Sequence, residues 1–144
     1  RWLVADVLPL IHAQRPDIAL HCIGADVPDS IATLSSAPGV RIHGHVPNLQ
    51  RWLDACLVSV APLRFGAGVK GKINQAMAHG LPVVATPCAV EGMHLQDGSD
   101  VLVASDASAF AQAVLRLAAN GRANVAQHFS LESARPTLRR LFLD

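Results

Sequence analysis

The stretch RFGAGVKGKINQAM, Arg64 to Met77, concentrates residue types that handle anions. Gly66, Gly68 and Gly71 spell G-x-G-x-x-G, and Gly66 to Lys72 spell the G-x-x-x-x-G-K of a phosphate loop, with Ile73 where Ser or Thr should follow. Glycines let backbone N–H groups approach a phosphate closely, and a helix beginning near Lys70 turns its positive end to the same place. Arg64, Lys70 and Lys72 add positive charge around the loop. Triphosphate hydrolysis does not follow, because Ile73 has no hydroxyl to hold Mg²⁺. A dinucleotide fingerprint should follow the first strand, with an acid ending the next strand. Here the loop follows the third strand-like run, and Glu91 lies five positions past the end of PVVAT.

Other candidates are weaker. His43 and His45 lack a third ligand at a suitable spacing, so no metal is expected. His79, just before Gly80, reads as a helix C-terminal residue favoured by the dipole. Cys88 has no base beside it in the sequence and reads as a small semi-buried residue. Glu91 falls on the same rim as Gly68, with Gly92 freeing the backbone next to it, and is a candidate contact to a ligand.

The elements that must position these residues alternate. A helical pattern over Trp2–Gln14 ends before Pro16, and an apolar run over Ile18–Gly24 reads as a strand. A short helix over Asp29–Ser36 follows, capped by Asp29 or Ser30. Strand-like runs begin at Val40 and Leu57, with a helix from Leu49 between them. The glycine loop leads into a helix from about Lys70 to His79 that Gly80 ends. PVVAT from Pro82 and VLVA over Val101–Ala104 are the last strands. A helix capped by Ser105 or Asp106 is expected to stop at Asn120 and Gly121, with shorter helices over Ala123–His128 and Leu131–Phe142. Helices alternating with short apolar strands imply an α/β doubly wound parallel sheet, covered on both faces, with ligands outside the carboxyl ends of the strands.

Composition narrows the function. The chain has 144 residues, enough for one domain with a sizeable core, and is 51% hydrophobic. Twelve basic against eleven acidic residues leave a charge of +1, which argues against a nucleic-acid footprint. Apolar runs are too short for a membrane span. Three widely spaced cysteines suggest neither a disulfide framework nor a zinc ribbon, and fit a reducing, cytoplasmic setting.

The string PLRFGAGVKGKINQAMAHGLPVVATPCAVEGM, Pro62 to Met93, resembles the donor-binding half of group-1 glycosyltransferases of the GT-B fold. It is similar to the branch written P-L-R-x-G-A-G-x-K-x-K-x-x-E-A-M-A-x-G-x-P-V-V-A-T, followed by an E-G pair. LPLIHAQRPDIALHCIG, VRIHGHVPNLQRWLDACLVSVAPLR and VAQHFSLESARPTLRRLF resemble flanking parts of that family, so residues 1–144 read as one nucleotide-sugar-binding, Rossmann-like domain. The resemblance implies a cytoplasmic, retaining, hexosyltransferase-like enzyme that takes a nucleotide-diphosphate sugar and works in polysaccharide or glycolipid assembly, with no cofactor and no metal. It places the donor's phosphates or sugar at Arg64, Gly66, Gly68, Val69, Lys70 and Lys72, the base at the turn of Gly44, His45 and Val46, and the ribose at Gln75; Glu91, from its place on the rim, is expected to touch the sugar or to stabilise the loop.

Two departures from the family carry expectations of their own. Relatives often carry two Glu eight positions apart, where this chain has Ala67 and Gln75. Gln75 exchanges a carboxylate for an amide, which keeps one acceptor and gains donors. That leaves a second function open, a noncatalytic glycosyltransferase-like binding module, and behind it an NAD-type dinucleotide-binding domain. Relatives also begin this domain with another strand, central in the order 3-2-1-4-5-6. The chain is therefore expected to be part of a longer two-domain protein whose N-terminal domain supplies the catalytic and acceptor residues and any contact with the inner face of the membrane. Alone, it is expected to be inactive.

Overall fold

The computed structural model describes residues 1–66 and 70–128, and side chains up to residue 119. The chain opens in a helical segment with two geometries. Leu3–Val7 is a π-helical turn, closed by the Leu8 N–H reaching the Leu3 carbonyl, and Leu8–His12 continues as α1. Pro9 is the physical cause. It has no N–H to return to the preceding turn and its ring crowds that turn, so the helix widens before it.

Next come β1 (Leu20–Ile23), α2 (Asp29–Ala32), a 3-10 turn (Thr33–Ser36) and β2 (Val40–Gly44). They are followed by α3 (Leu49–Ala55), β3 (Ser59–Ala61), α4 (Gly71–Ala78) and β4 (Val83–Ala85). The last elements are α5 (Pro87–Val90), β5 (Leu102–Val103) and α6 (Ala107–His128). Every strand pair is parallel, as the alternation of elements requires. The strands fall into two sheets, β1-β2 and β3-β4-β5. The expected order 3-2-1-4-5-6 would put the further strand between these two sheets.

Register explains how the larger sheet is covered. Val60, Val84 and Leu102 stand in one row, and Ala61, Ala85 and Val103 in the next. The first row packs under Leu3, Val7 and Ile11 of the opening helix and Phe110, Val114 and Leu117 of α6. The second packs under Ile73, Ala76 and Met77 of α4, with Ala89 and Met93 closing one end. Alternate residues of a strand point to opposite faces, so each short apolar run serves two cores at once. Trp2 meets Phe110 edge to face at 5.5 Å, the geometry the ring quadrupoles favour.

The smaller sheet is filled differently. Among the described residues of β1, α2, β2 and α3, only Val40 is buried. Leu20 turns toward the first core. On the other face His21, from β1, and His43, from β2, stack at 5.2 Å, and Trp52 of α3 lies tilted against both at 5.3 and 4.3 Å. Gly39 joins this sheet to the opening helix. His12 donates to the Ile18 carbonyl at 2.8 Å, and a Cβ on Gly39 would stand 2.7 Å from the His12 ring. With φ at +73 as well, the position admits glycine alone without rearrangement.

Several local expectations are corrected. α2 starts after Pro28, and among the described residues neither Asp29 nor Ser30 caps it through a side chain. Fixed φ at Pro28 does that work. α3 is capped instead by Asn48, whose side chain accepts from the Arg51 N–H. Of the two caps offered for α6, Asp106 serves, accepting from the Ala109 N–H at 2.9 Å. Asn120 and Gly121 do not stop α6, which runs to His128 and absorbs the separate helix expected over Ala123–His128. A single Gly costs only about 1 kcal/mol inside a helix, too little to end one anchored by Phe110, Val114 and Leu117. The helix expected over Leu131–Phe142 lies outside the described residues. Both-face coverage of every strand fails for β1, whose residues are all half-buried.

Candidate functional site

The carboxyl ends of β3 and β4 come together around the segment from Leu63 to Gly66. Thr86, just past β4, is the one buried polar residue among those described. Its N–H donates to the Ala61 carbonyl at 3.1 Å. Its hydroxyl donates to the Leu63 carbonyl, with the Ala61 oxygen 3.5 Å away. Thr86, one residue past β4, thus extends the pairing to Leu63, two residues past β3, and fixes how the chain leaves the sheet. A buried hydroxyl needs such a partner, and here the partner is the backbone that must be held.

Three residues farther on, Gly66 has φ +118, a conformation open to glycine and little else. Its carbonyl receives the Lys70 ammonium at 3.2 Å and the Cys88 thiol at 3.7 Å. Cys88 belongs to α5, a helical turn begun by Pro87, in a stretch the sequence leaves as loop. Its role as a brace was not legible from the chain, since it depends on two loops meeting.

α4 begins at Gly71 with Lys70 as its N-cap, and among the described residues no side chain caps it. Its first-turn N–H groups and the Lys70 ammonium therefore flank one place at the carboxyl end of β3, the arrangement that suits an anion. Gly68 and Val69, along with Ala67, lie outside the described residues. Arg64 is exposed and its guanidinium sits 5.5 Å from the centre of the Trp2 ring, a cation–π distance that ties the loop to the opening helix.

Among the described residues, no side-chain hydrogen bond joins the remaining predicted residues to this point. Lys72 and Gln75 are exposed on α4, and Glu91 is exposed at the end of α5. His45 is exposed and Val46 half-buried in the turn after β2. Among the described residues no side-chain hydrogen bond links Gln75, His45, Val46 or Glu91 to the Leu63–Gly66 segment. His79 is the C-cap of α4, as expected, and its ring stands 3.4 Å from the Asp54 carboxylate of α3.

Three features escaped the sequence. Asn74, one position before Gln75, holds a buried side-chain oxygen with no partner among the described residues, the kind of group that calls for a ligand or a neighbour to satisfy it. Asp26, after β1, and His94, after α5, both have φ 52. Asp26 directly follows the carboxyl end of β1, where ligand-binding loops gather, whereas His94 lies on the connection from α5 to β5. The third is the imidazole pair. His21 Nδ1 and His43 Nε2 are 2.9 Å apart, so one proton lies between two rings. Desolvation, then the neighbouring His43 and Arg41, hold His21 below its ordinary value. Burial pushes the Cys22 and Cys56 thiols up, away from the thiolate form. Among the described residues no group of three or more His, Cys, Asp or Glu is placed to hold a metal ion, and no helix is long and apolar enough to cross a membrane.

Parallel strands alternating with helices, with the loop before α4 at their carboxyl ends, define an open α/β, Rossmann-like class of fold. The profile of the family described as glycosyl transferases group 1 matches residues 1–120, and the chain belongs to that family. The fold is shared with HepE from Anabaena, solved with UDP-glucose, at TM-score 0.65 and 14% identity over 94% of this chain and 43% of that one. It is shared too with TarM, at TM-score 0.59 and 19% identity over 98% of this chain and 31% of that one. The pneumococcal O-GlcNAc transferase GtfA, solved with UDP and GlcNAc, aligns at TM-score 0.54 and 22% identity over 94% of this chain and 28% of that one. This chain therefore spans less than half the length of these structures. No curated protein sequence matches it.

Proposed function

We propose that these residues form the donor half of a glycosyltransferase, holding a nucleotide-diphosphate sugar while a second domain of the same protein presents the acceptor hydroxyl. The observation that carries this is the α4 N-terminus with Lys70 beside Gly66 at the carboxyl end of β3. Such a cradle stabilises the diphosphate as it leaves, and the two-domain cleft brings the attacking hydroxyl into line. Gly68, Val69, Arg64 and Lys72 complete the phosphate side, Gln75 faces the ribose, His45 and Val46 border the base, and Glu91 lies toward the sugar. Transfer is with retention, no metal is needed, and the domain alone does not turn over. The coverage of the solved relatives supports a longer chain.

A second reading rests on Gln75, the amide in place of a carboxylate: a binding module that keeps the fold without catalysis. Titration of UDP, GDP, ADP and NAD into the full-length protein tests both. Binding of one nucleoside diphosphate together with turnover of its sugar conjugate is the expected result. Binding without turnover supports the module, and NAD alone overturns both.

A further inference from the structure

Phe65 is 87% exposed, more than any other large apolar side chain among the described residues. An isolated apolar residue on a surface is ordinary. Phe65 differs because its backbone is held on both sides while its ring stands in water. Upstream, the Thr86 hydroxyl holds the Leu63 carbonyl. Downstream, Lys70 and Cys88 converge on the Gly66 carbonyl at 3.2 and 3.7 Å. Arg64, the neighbouring cation, is drawn over Trp2 on the opening helix. The loop therefore presents an aromatic ring from a braced segment directly beside the cradle formed by Lys70 and the α4 N-terminus.

A ligand that suits this juxtaposition carries negative charge and, one bond away, a flat face of C–H groups. A sugar bonded to a phosphate has both. The axial C–H bonds of a pyranose carry slight positive charge and lie against the negative face of an aromatic ring, while its hydroxyls stay in water at the rim. We propose that Phe65 is a stacking platform for a pyranose ring at the mouth of the anion site. This rests on the donor-site reading above. The pyranose is either the donor's own sugar or that of the acceptor, and the chemistry of contact is the same.

The two sources separate by binding alone. Wild-type full-length protein and its Phe65→Ala, Phe65→Leu and Phe65→Trp variants are titrated with the nucleoside diphosphate selected above and with its glucose conjugate. Methyl glucoside is then titrated into protein saturated with that nucleoside diphosphate. The diphosphate alone should bind wild type and Phe65→Ala equally. If the platform serves the donor, the conjugate binds Phe65→Ala about threefold to tenfold more weakly, the range expected for one aromatic contact. If it serves the acceptor, methyl glucoside loses affinity by a similar factor and the conjugate does not. In either case Phe65→Trp keeps binding and Phe65→Leu behaves like the Ala variant. Equal binding by wild type and Phe65→Ala in both arms overturns the platform and leaves the donor site standing. So does full binding by Phe65→Leu, or an equal loss for the diphosphate alone. Failure of wild type to bind any nucleoside diphosphate removes the donor site and the platform with it.

Discussion

The β3-β4-β5 sheet and the β1-β2 sheet are built from runs of similar length, yet they are held together by different physics. In the first, Val83, Val84 and Ala85 are fully buried and contribute to cores on both faces. In the second, all four β1 residues are half-buried, and the face toward α3 is occupied by two imidazoles and an indole rather than by aliphatic side chains. Apolar burial is insensitive to pH and grows with area, whereas a hydrogen bond between imidazoles changes with pH as the rings gain protons. The difference teaches where rigidity lies. The anion cradle stands on the well-packed sheet, through Thr86 at the end of β4, while the turn proposed to border the base stands on the lightly packed one.

The comparison breaks first at Phe110, which is fully buried between the opening helix and the larger sheet. Phe110→Ala should cost about 3–5 kcal/mol in denaturant unfolding, a loss a domain of ordinary stability scarcely survives. Thr86→Val keeps the volume but strips the Leu63 carbonyl of its donor. A cost of about 1–3 kcal/mol is expected, with a rise in amide exchange around Leu63 to Gly66 that Thr86→Ser reverses. Trp52→Ala probes the other sheet. Because the indole is only half-buried, the expected cost is about 1–2 kcal/mol, with faster exchange confined to β1, β2 and α3. Equal costs for Phe110→Ala and Trp52→Ala would erase the distinction between the sheets.

The smallest effect is that of acid. His21 is held below its ordinary value of 6.5 in the folded chain, so the unfolded chain binds the proton more readily. Stability then rises with pH across this group, is fully present above about 6.5, and is lost as pH falls through the folded value. Amide exchange of β1 and β2 should quicken between pH 7.5 and 5.5 by more than that of β3 to β5, and His21→Asn should flatten the contrast. A uniform response of both sheets would show that the imidazole pair contributes nothing of its own.

Much of the fold is legible along the chain because it rests on local preferences. Proline, glycine and short apolar runs locate all five strands, and Gly80 at φ 65 ends α4 where the sequence places its end. The phosphate-suited loop is legible for the same reason, since glycines and lysines at fixed spacing ahead of a helix act within a few residues of one another. Helix ends were less so. Asn120 and Gly121 carry a stop signal, but a helix anchored on a buried face runs through it. Thr86 carried no signal, and Cys88 read only as a small semi-buried residue, because their hold on the Leu63–Gly66 segment depends on what stands across from them.

The sequence alone determined the order of elements, the parallel sense of the strands and the family, all consequences of short-range pattern and composition. The tertiary structure decided what no window of sequence contains. It paired His21 with His43 across strands 22 residues apart. It set Thr86 and Cys88 against carbonyls more than 20 positions earlier, and it left the described strands as two sheets. Each of these depends on chain segments meeting in space, where hydrogen bonding and burial are settled by the partner rather than by the residue's own preference.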